Sequence, residues 1–154
     1  MNTYEELIDN ITQTGGNVIE LDLDTDKPCG KCVNGTVFIN NRGTNREKLC
    51  ILIEELGHSK LTVGDIMDLK DITNRKQELI ARRWGYEKVV GIIGLIKAFE
   101  YGARSKYEIA EYLNVTESFL SEAIQYYKQK YGVFFEIDNY IVSFEPTLGV
   151  FKRF

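Results

Sequence analysis

The residues best suited to chemistry in this sequence are Glu54, Glu55 and His58, the last of which is the only histidine. Glu54 and His58 are four residues apart, so on an α-helix they lie on the same face, one turn from each other. A carboxylate and an imidazole in this arrangement can both bind one divalent metal ion. Glu55 lies about 100° further around the helix, where a carboxylate can act as a base on water activated by the metal. The spacing therefore predicts a metal site with Glu54 and His58 as ligands and Glu55 as the catalytic base.

This is the geometry of a zincin helix, in which Glu54 stands where the usual motif has its first histidine. A third ligand must come from another element, and we expect it to be Glu78. Ala81 follows Glu78 by about one helical turn, and the small residues Ala81 and Gly57 would let the two backbones approach closely. Three other carboxylates compete for this role by position in the sequence: Asp65, Asp68 and Glu87.

Two helices must position these side chains. The capping box Thr44-x-x-Glu47 opens a helix that runs to His58, and its apolar residues Leu49, Leu52, Ile53 and Leu56 follow the i, i+3, i+4, i+7 pattern of a buried stripe. The second is a single long helix from Asn74 to about Tyr101. We expect both to be largely buried.

The N-terminal region predicts one helix and a small sheet. Thr3-x-x-Glu6 is a capping box whose helix ends at Gly15-Gly16. The segment 17–23 then alternates, with Ile19, Leu21 and Leu23 on one side, which predicts a half-buried strand. Asn34-Gly35 between β-branched and aromatic residues predicts a tight hairpin. A small antiparallel sheet is the expected result.

The C-terminal region predicts a helix pair and a hairpin. The capping box Ser105-x-x-Glu108 opens a short helix to Leu113, and Thr116 caps a second one. Short β-type runs around Asp138-Asn139 predict a terminal β-hairpin. Together the patterns predict an α+β fold, a mostly helical zincin-like domain over residues 1–154. We expect residues 1–103 to hold the sheet and metal helices, and residues 104–154 the helix-turn-helix-like pair and hairpin.

Composition limits the classes of function. The 154 residues carry a formal net charge of −4, which does not favour binding to nucleic acid or to an anionic membrane. The N-terminus has no basic and apolar signal pattern and no apolar run is long enough to cross a bilayer, so we expect a cytoplasmic protein. The three cysteines, Cys29, Cys32 and Cys50, are expected to be free thiols.

Two surface features have competing interpretations. The helix opened by Thr116 would be the recognition helix of a DNA-binding pair, but Glu117 and Glu122 make its N-terminal face acidic, which opposes contact with phosphates. Packing support or docking of a protein partner is the better interpretation. One basic cluster is either a solvated helix face or a contact for an acidic partner: Arg75, Lys76, Arg82 and Arg83.

The segments 48–58 (KLCILIEELGH) and 74–84 (NRKQELIARRW) resemble the ImmA/IrrE family of metallo-endopeptidases. The similarity in character extends from the N-terminal helix through the segment 109–117. The resemblance implies Glu55 as catalytic residue and His58 as second ligand, and the family's Glu-x-x-Ala pattern assigns the third ligand to Glu78. The departure is Glu54, where many members have histidine. A donor set of one imidazole and two carboxylates is harder than histidine-rich zinc sites, so Mn²⁺ becomes an alternative to Zn²⁺.

The resemblance also implies a hydrolase whose substrate is a helix-turn-helix repressor encoded by the same phage or mobile element. The alternative is a non-catalytic module that binds the same repressor without cleaving it. The environment of Glu54 distinguishes these two hypotheses. If Glu54 is a metal ligand, the enzyme is favoured, and if its side chain is solvated, the non-catalytic module is favoured. The oligomeric state is not determined by the sequence.

Overall fold

The computed structural model describes residues 4–13, 15–61 and 71–153, without the side chains of residues 58–61, 71–75, 77 and 78. Over these residues the chain has an α+β fold. The helices are α1 (Tyr4–Gln13), α2 (Asn45–Leu61), α3 (Asp71–Val89), α4 (Ile92–Tyr101), α5 (Lys106–Leu113) and α6 (Glu117–Tyr131). The strands are β1 (Asn17–Leu21), β2 (Gly30–Val33), β3 (Thr36–Asn40), β4 (Phe134–Ile137), β5 (Tyr140–Ser143) and β6 (Gly149–Lys152).

The chain divides into two compact units, Met1–Gly85 and Tyr86–Phe154, and the division falls within α3. The first unit contains α1, α2 and the sheet of β1 to β3, and the second contains α4, α5, α6 and the sheet of β4 to β6. A single metallopeptidase-like domain with subregions on either side of residue 103 stays a prediction.

The first sheet is mixed, with strand order β1-β3-β2. The predicted antiparallel pairing holds for the hairpin of β2 and β3, which turns at Asn34-Gly35, whereas β1 is parallel to β3. After β1, the loop 22–29 crosses the end of the sheet and leaves room for one strand beside β1. Strand β2 forms beyond this gap, and the hairpin then places β3 in the gap, parallel to β1 and antiparallel to β2. Asn40 holds this loop in place. Its side chain is 2% exposed, and its amide group donates to the carbonyls of Thr25 and Lys27.

The apolar side of β1 faces away from the core, so the prediction that this side is buried is wrong. Ile19, Leu21 and Leu23 are 37–43% exposed. The register pairs Glu20 with Ile39, which is buried, so Glu20 is on the inner side of the sheet, where its side chain is 37% exposed.

Glu20 takes this position because neighbouring helices supply polar partners. The hydroxyl of Tyr4 in α1 donates to Glu20 at 3.1 Å, and the ammonium group of Lys48 in α2 lies 2.6 Å from the same carboxylate. Both contacts join β1 to the helices that pack beside it.

The predicted long helix from Asn74 to Tyr101 is two helices, α3 and α4. Gly91 separates them with φ 66° and ψ 153°, a conformation that is essentially restricted to glycine. The N–H groups of Val90 and Gly91 both donate to the carbonyl of Tyr86, which ends α3, and Gly91 then accepts the first bond of α4 from Leu95. The break was not predicted because the apolar residues continue with helical spacing on both sides of Gly91.

The second unit confirms the predicted helix pair and hairpin. The capping box of Ser105 and Glu108 is complete, and the Thr116 hydroxyl accepts from the N–H of Phe119. Strands β4 and β5 form the predicted hairpin, and β6 adds a third antiparallel strand that the sequence analysis missed. The core of this unit includes Leu95, Leu113, Val115, Leu120, Tyr127 and Val142.

Within the described part of the chain, no helix has the length and apolar character needed to cross a membrane. As predicted, none of Cys29, Cys32 and Cys50 is in a disulfide.

Candidate metal centre

Helix α2 positions the carboxylates of the motif. It begins at the predicted capping box, in which the Thr44 N–H donates to Glu47 at 2.9 Å and the Glu47 N–H donates to the Thr44 hydroxyl at 3.2 Å. Leu49, Leu52 and Ile53 are at most 1% exposed, so their burial fixes the rotation of the helix. The next two residues, Glu54 and Glu55, are consequently only partly buried, where a substrate or an ion can reach them.

Helices α2 and α3 touch at their backbones. A Cβ atom placed on Gly57 would lie 2.6 Å from the carbonyl oxygen of Ala81 and 3.3 Å from its Cα. Ala81 is fully buried. The close approach predicted from these two small residues is therefore confirmed, and the metal helix is in direct contact with the helix that bears Glu78.

The same contact region contains an ion pair between Glu54 and Arg82. The Nε atom of Arg82 lies 3.4 Å from Oε1 of Glu54, and the two side chains are 48% and 33% exposed. The pair lies before Gly57 on α2 and after Ala81 on α3, as expected for helices that run in opposite directions. On the other side of the contact, the next positions are His58, directly after Gly57, and Glu78, three residues before Ala81.

In the sequence Arg82 belongs to a basic cluster, and its contact with Glu54 was not predicted. The available signal was spacing, because Arg82 follows Glu78 by four residues and so occupies the same face of α3. Lys76 and Arg83 of the cluster are exposed, and the side chain of Arg75 lies outside the described residues.

Strand β2 packs against α2, the helix that bears Glu55. The pKa of the Cys32 thiol is raised, first by burial and then by the negative charge of Glu55. Cys32 pairs in register with Val37, which is buried, so its side chain is on the inner face of the sheet. An outer strand of the sheet thus borders the carboxylate expected to act as base, a relation that no local sequence signal could indicate.

The structure does not describe the side chains of several predicted ligands. The side chains of His58 and Glu78, and all of Asp65 and Asp68, are outside the described residues. Among the side chains that are described, no three His, Cys, Asp or Glu residues form a group that could hold a metal ion. Glu87 lies in the second unit, where its carboxylate accepts hydrogen bonds from Tyr126 and Lys130. Glu54, His58 and Glu78 stay the predicted ligands, and Asp65 and Asp68 stay alternatives to Glu78.

The chain was compared with models of protein families, with curated proteins and with solved structures. The family model Peptidase_M78, described as an IrrE N-terminal-like domain, matches residues 12–125. No curated protein and no solved structure matches the chain. The matched span covers well over half of the 154 residues and includes α2, α3 and the α5–α6 pair up to Gln125. The resemblance found in the motif segments is confirmed, and the chain belongs to the Peptidase_M78 family with an IrrE N-terminal-like domain.

Proposed function

We propose that this protein is a metal-dependent endopeptidase that cleaves a regulatory DNA-binding protein of the repressor type. The observation that supports it most is the contact of Gly57 with Ala81 in a chain of this metallopeptidase family. Through this contact, the helix with Glu54 and His58 lies directly against the helix with Glu78.

The donor set fits a divalent cation. Carboxylate oxygens and a neutral imidazole nitrogen are ligands for Zn²⁺ and for the harder Mn²⁺. The backbone contact at Gly57 leaves no Cβ between the two helices, so side chains from both can converge on one ion. We propose Zn²⁺ as the cofactor and Mn²⁺ as the alternative, with Glu54, His58 and Glu78 as ligands.

The proposed reaction is hydrolysis of a peptide bond. When bound, the metal supplies Lewis-acid polarisation of the scissile carbonyl and of the attacking water. Glu55 takes the proton from the water and passes it to the nitrogen of the leaving amine. Its partial exposure beside β2 is compatible with this role.

Strand β2 offers a surface for an extended substrate segment. It lies at the outer edge of its sheet, and its inner face borders Glu55. A polypeptide that adds to such an edge is held by main-chain hydrogen bonds and is therefore bound without strict dependence on its sequence. We propose that the scissile segment lies along β2.

The class of substrate rests on family membership alone. We propose a helix-turn-helix repressor encoded by the same phage or mobile element, which places the reaction in the cytoplasm. The acidic residues Glu117 and Glu122 of α6 support protein docking over DNA binding, and Glu122 also accepts from the Tyr86 hydroxyl.

The first experiment measures metal content by mass spectrometry on the wild type and on His58→Ala, both purified without chelator. We expect near-stoichiometric metal in the wild type and its loss in the variant. The loaded protein is then incubated with the repressor encoded beside it, and the products are analysed for fragments. We expect cleavage by the wild type and none by Glu55→Gln with its metal retained. Full cleavage by Glu55→Gln would overturn the proposed mechanism.

The ion pair of Glu54 with Arg82 favours one second candidate, the non-catalytic module. If the guanidinium takes the place of a metal ion, the wild type is purified without metal and still binds the repressor. Intact repressor that co-purifies with a metal-free wild type, and that stays intact after Zn²⁺ or Mn²⁺ is added, would support this function over the enzyme.

A further inference from the structure

We propose that Arg82 is a positioning residue for the metal site, holding Oε1 of Glu54 so that the other carboxylate oxygen is available to the ion. The inference depends on the proposed metal-binding function. It rests on the contact of Arg82 Nε with Glu54 Oε1 at 3.4 Å and on the fixed relation of α2 and α3 at Gly57.

The chemistry of a carboxylate ligand requires this kind of partner. A histidine ligand donates its second ring N–H to an acceptor, which fixes the orientation of the ring. Glu54 has no hydrogen to donate, and its second oxygen can only accept. The partner of a glutamate ligand must therefore be a donor, and a guanidinium presents five N–H groups in a planar fork. Arg82 is such a donor at the position of contact.

The charges at the site favour the same conclusion. With Glu54, His58 and Glu78 as the proposed ligands and Glu55 beside Glu54 in the sequence, the site would hold three carboxylates and one imidazole. Three carboxylates and a divalent cation sum to a net charge of −1, and the guanidinium of Arg82, in contact with Glu54, would lower this excess. A partly buried site with balanced charge has a lower electrostatic cost than one with excess charge.

If the pair only stabilised the fold, loss of Arg82 would lower the unfolding midpoint of the metal-free protein. Both side chains are a third or more exposed, and ion pairs of this kind contribute little to the stability of a fold. Loss of Arg82 should therefore leave the unfolding transition of the metal-free protein nearly unchanged. Its effect should instead appear in metal affinity.

The experiment measures the affinity for Zn²⁺ and Mn²⁺ by competition with a chromophoric chelator. The variants are Arg82→Gln, Arg82→Lys and the matched control Arg83→Gln, which removes the same charge from the next position of α3. We expect Arg82→Gln to weaken metal binding by about 10-fold or more, as is usual for partners of metal ligands. Arg82→Lys should recover part of the loss, and Arg83→Gln should bind like the wild type.

The Glu54→His background provides the decisive comparison. A histidine ligand gains nothing from a cationic neighbour, so Arg82→Gln should not weaken metal binding in this background. An equal loss in both backgrounds would show a general structural effect and overturn the inference. Unchanged affinity of Arg82→Gln would also overturn it, while leaving the metal site intact. A wild type that binds neither metal would refute the proposed function and this inference together.

Discussion

Gly57 and Ala81 set the distance between the helices that bear the proposed ligands. Because the nearest atom to a Cβ at Gly57 would be a backbone oxygen, no rotamer change can relieve the contact. The glycine is therefore required by close approach, and the fold and the site depend on the same residue.

We expect Gly57→Ala to separate α2 from α3. Overpacking typically costs about 1–3 kcal/mol, against which alanine regains about 1 kcal/mol of helix propensity. A net loss of roughly 1 kcal/mol in the free energy of unfolding should be seen in urea titration. Gly43→Ala is the control, since a Cβ there meets its nearest neighbour, Glu47 Cβ, at 3.6 Å. An unchanged or raised midpoint for Gly57→Ala would contradict the assigned contact.

Asn40 is the buried polar residue that organises the loop after β1. Its amide donates at 2.8 Å to Thr25 and at 3.0 Å to Lys27, and its oxygen accepts from the Leu23 N–H at 3.3 Å. We expect Asn40→Ala to lower the free energy of unfolding by about 2–3 kcal/mol, because three part-buried hydrogen bonds of one loop are lost together. The exposed neighbour Asn41 provides the control substitution to alanine, and equal stability of the two variants in chemical denaturation would refute this role.

At the scale of the element, the capping box of α5 gives the protein a pH-dependent contribution to stability. The N–H and hydroxyl groups of Ser105, with the N–H of Arg104, hold the pKa of Glu108 below its usual value. A carboxyl whose pKa is lower in the folded state stabilises the fold above its ordinary pKa, and this stabilisation is lost as the pH falls below it.

Glu108→Gln should therefore reduce the acid sensitivity of the fold. Between about pH 5 and about pH 3, we expect the thermal midpoint of the wild type to fall more than that of the variant. Glu111→Gln, an exposed change on the same helix outside its first turn, should retain the wild-type slope. Parallel curves for wild type and Glu108→Gln would show that the capping contact does not contribute in solution.

At the scale of the whole molecule, the proposed metal couples to the stability of the first unit, since Glu54, His58 and Glu78 all belong to residues 1–85. A ligand that binds only the folded state at about 100 times its dissociation constant adds about 2.7 kcal/mol. We expect Zn²⁺ or Mn²⁺ to raise the thermal midpoint of the wild type and to leave that of His58→Ala unchanged. A similar rise in both proteins would place the binding elsewhere in the chain.

The sequence predicted the parts of the fold that depend on one segment at a time. The capping boxes of Thr44 and Ser105, the buried stripe of α2 and the Asn34-Gly35 turn are all present. Each is set by hydrogen bonds or side-chain periodicity within a few residues, so the local pattern contains the necessary information.

Only the tertiary structure decided which elements face each other. The parallel pairing of β1, the outward position of Ile19 and Leu21, and the contact of Arg82 with Glu54 each involve segments that are distant in the sequence. The alternation of β1 is the same whichever side is buried, and only the tertiary structure shows Glu20 on the inner side, in contact with Tyr4 of α1 and Lys48 of α2. A single segment specifies its own periodicity, but the face that it buries is chosen by the free energy of its contacts with the rest of the chain.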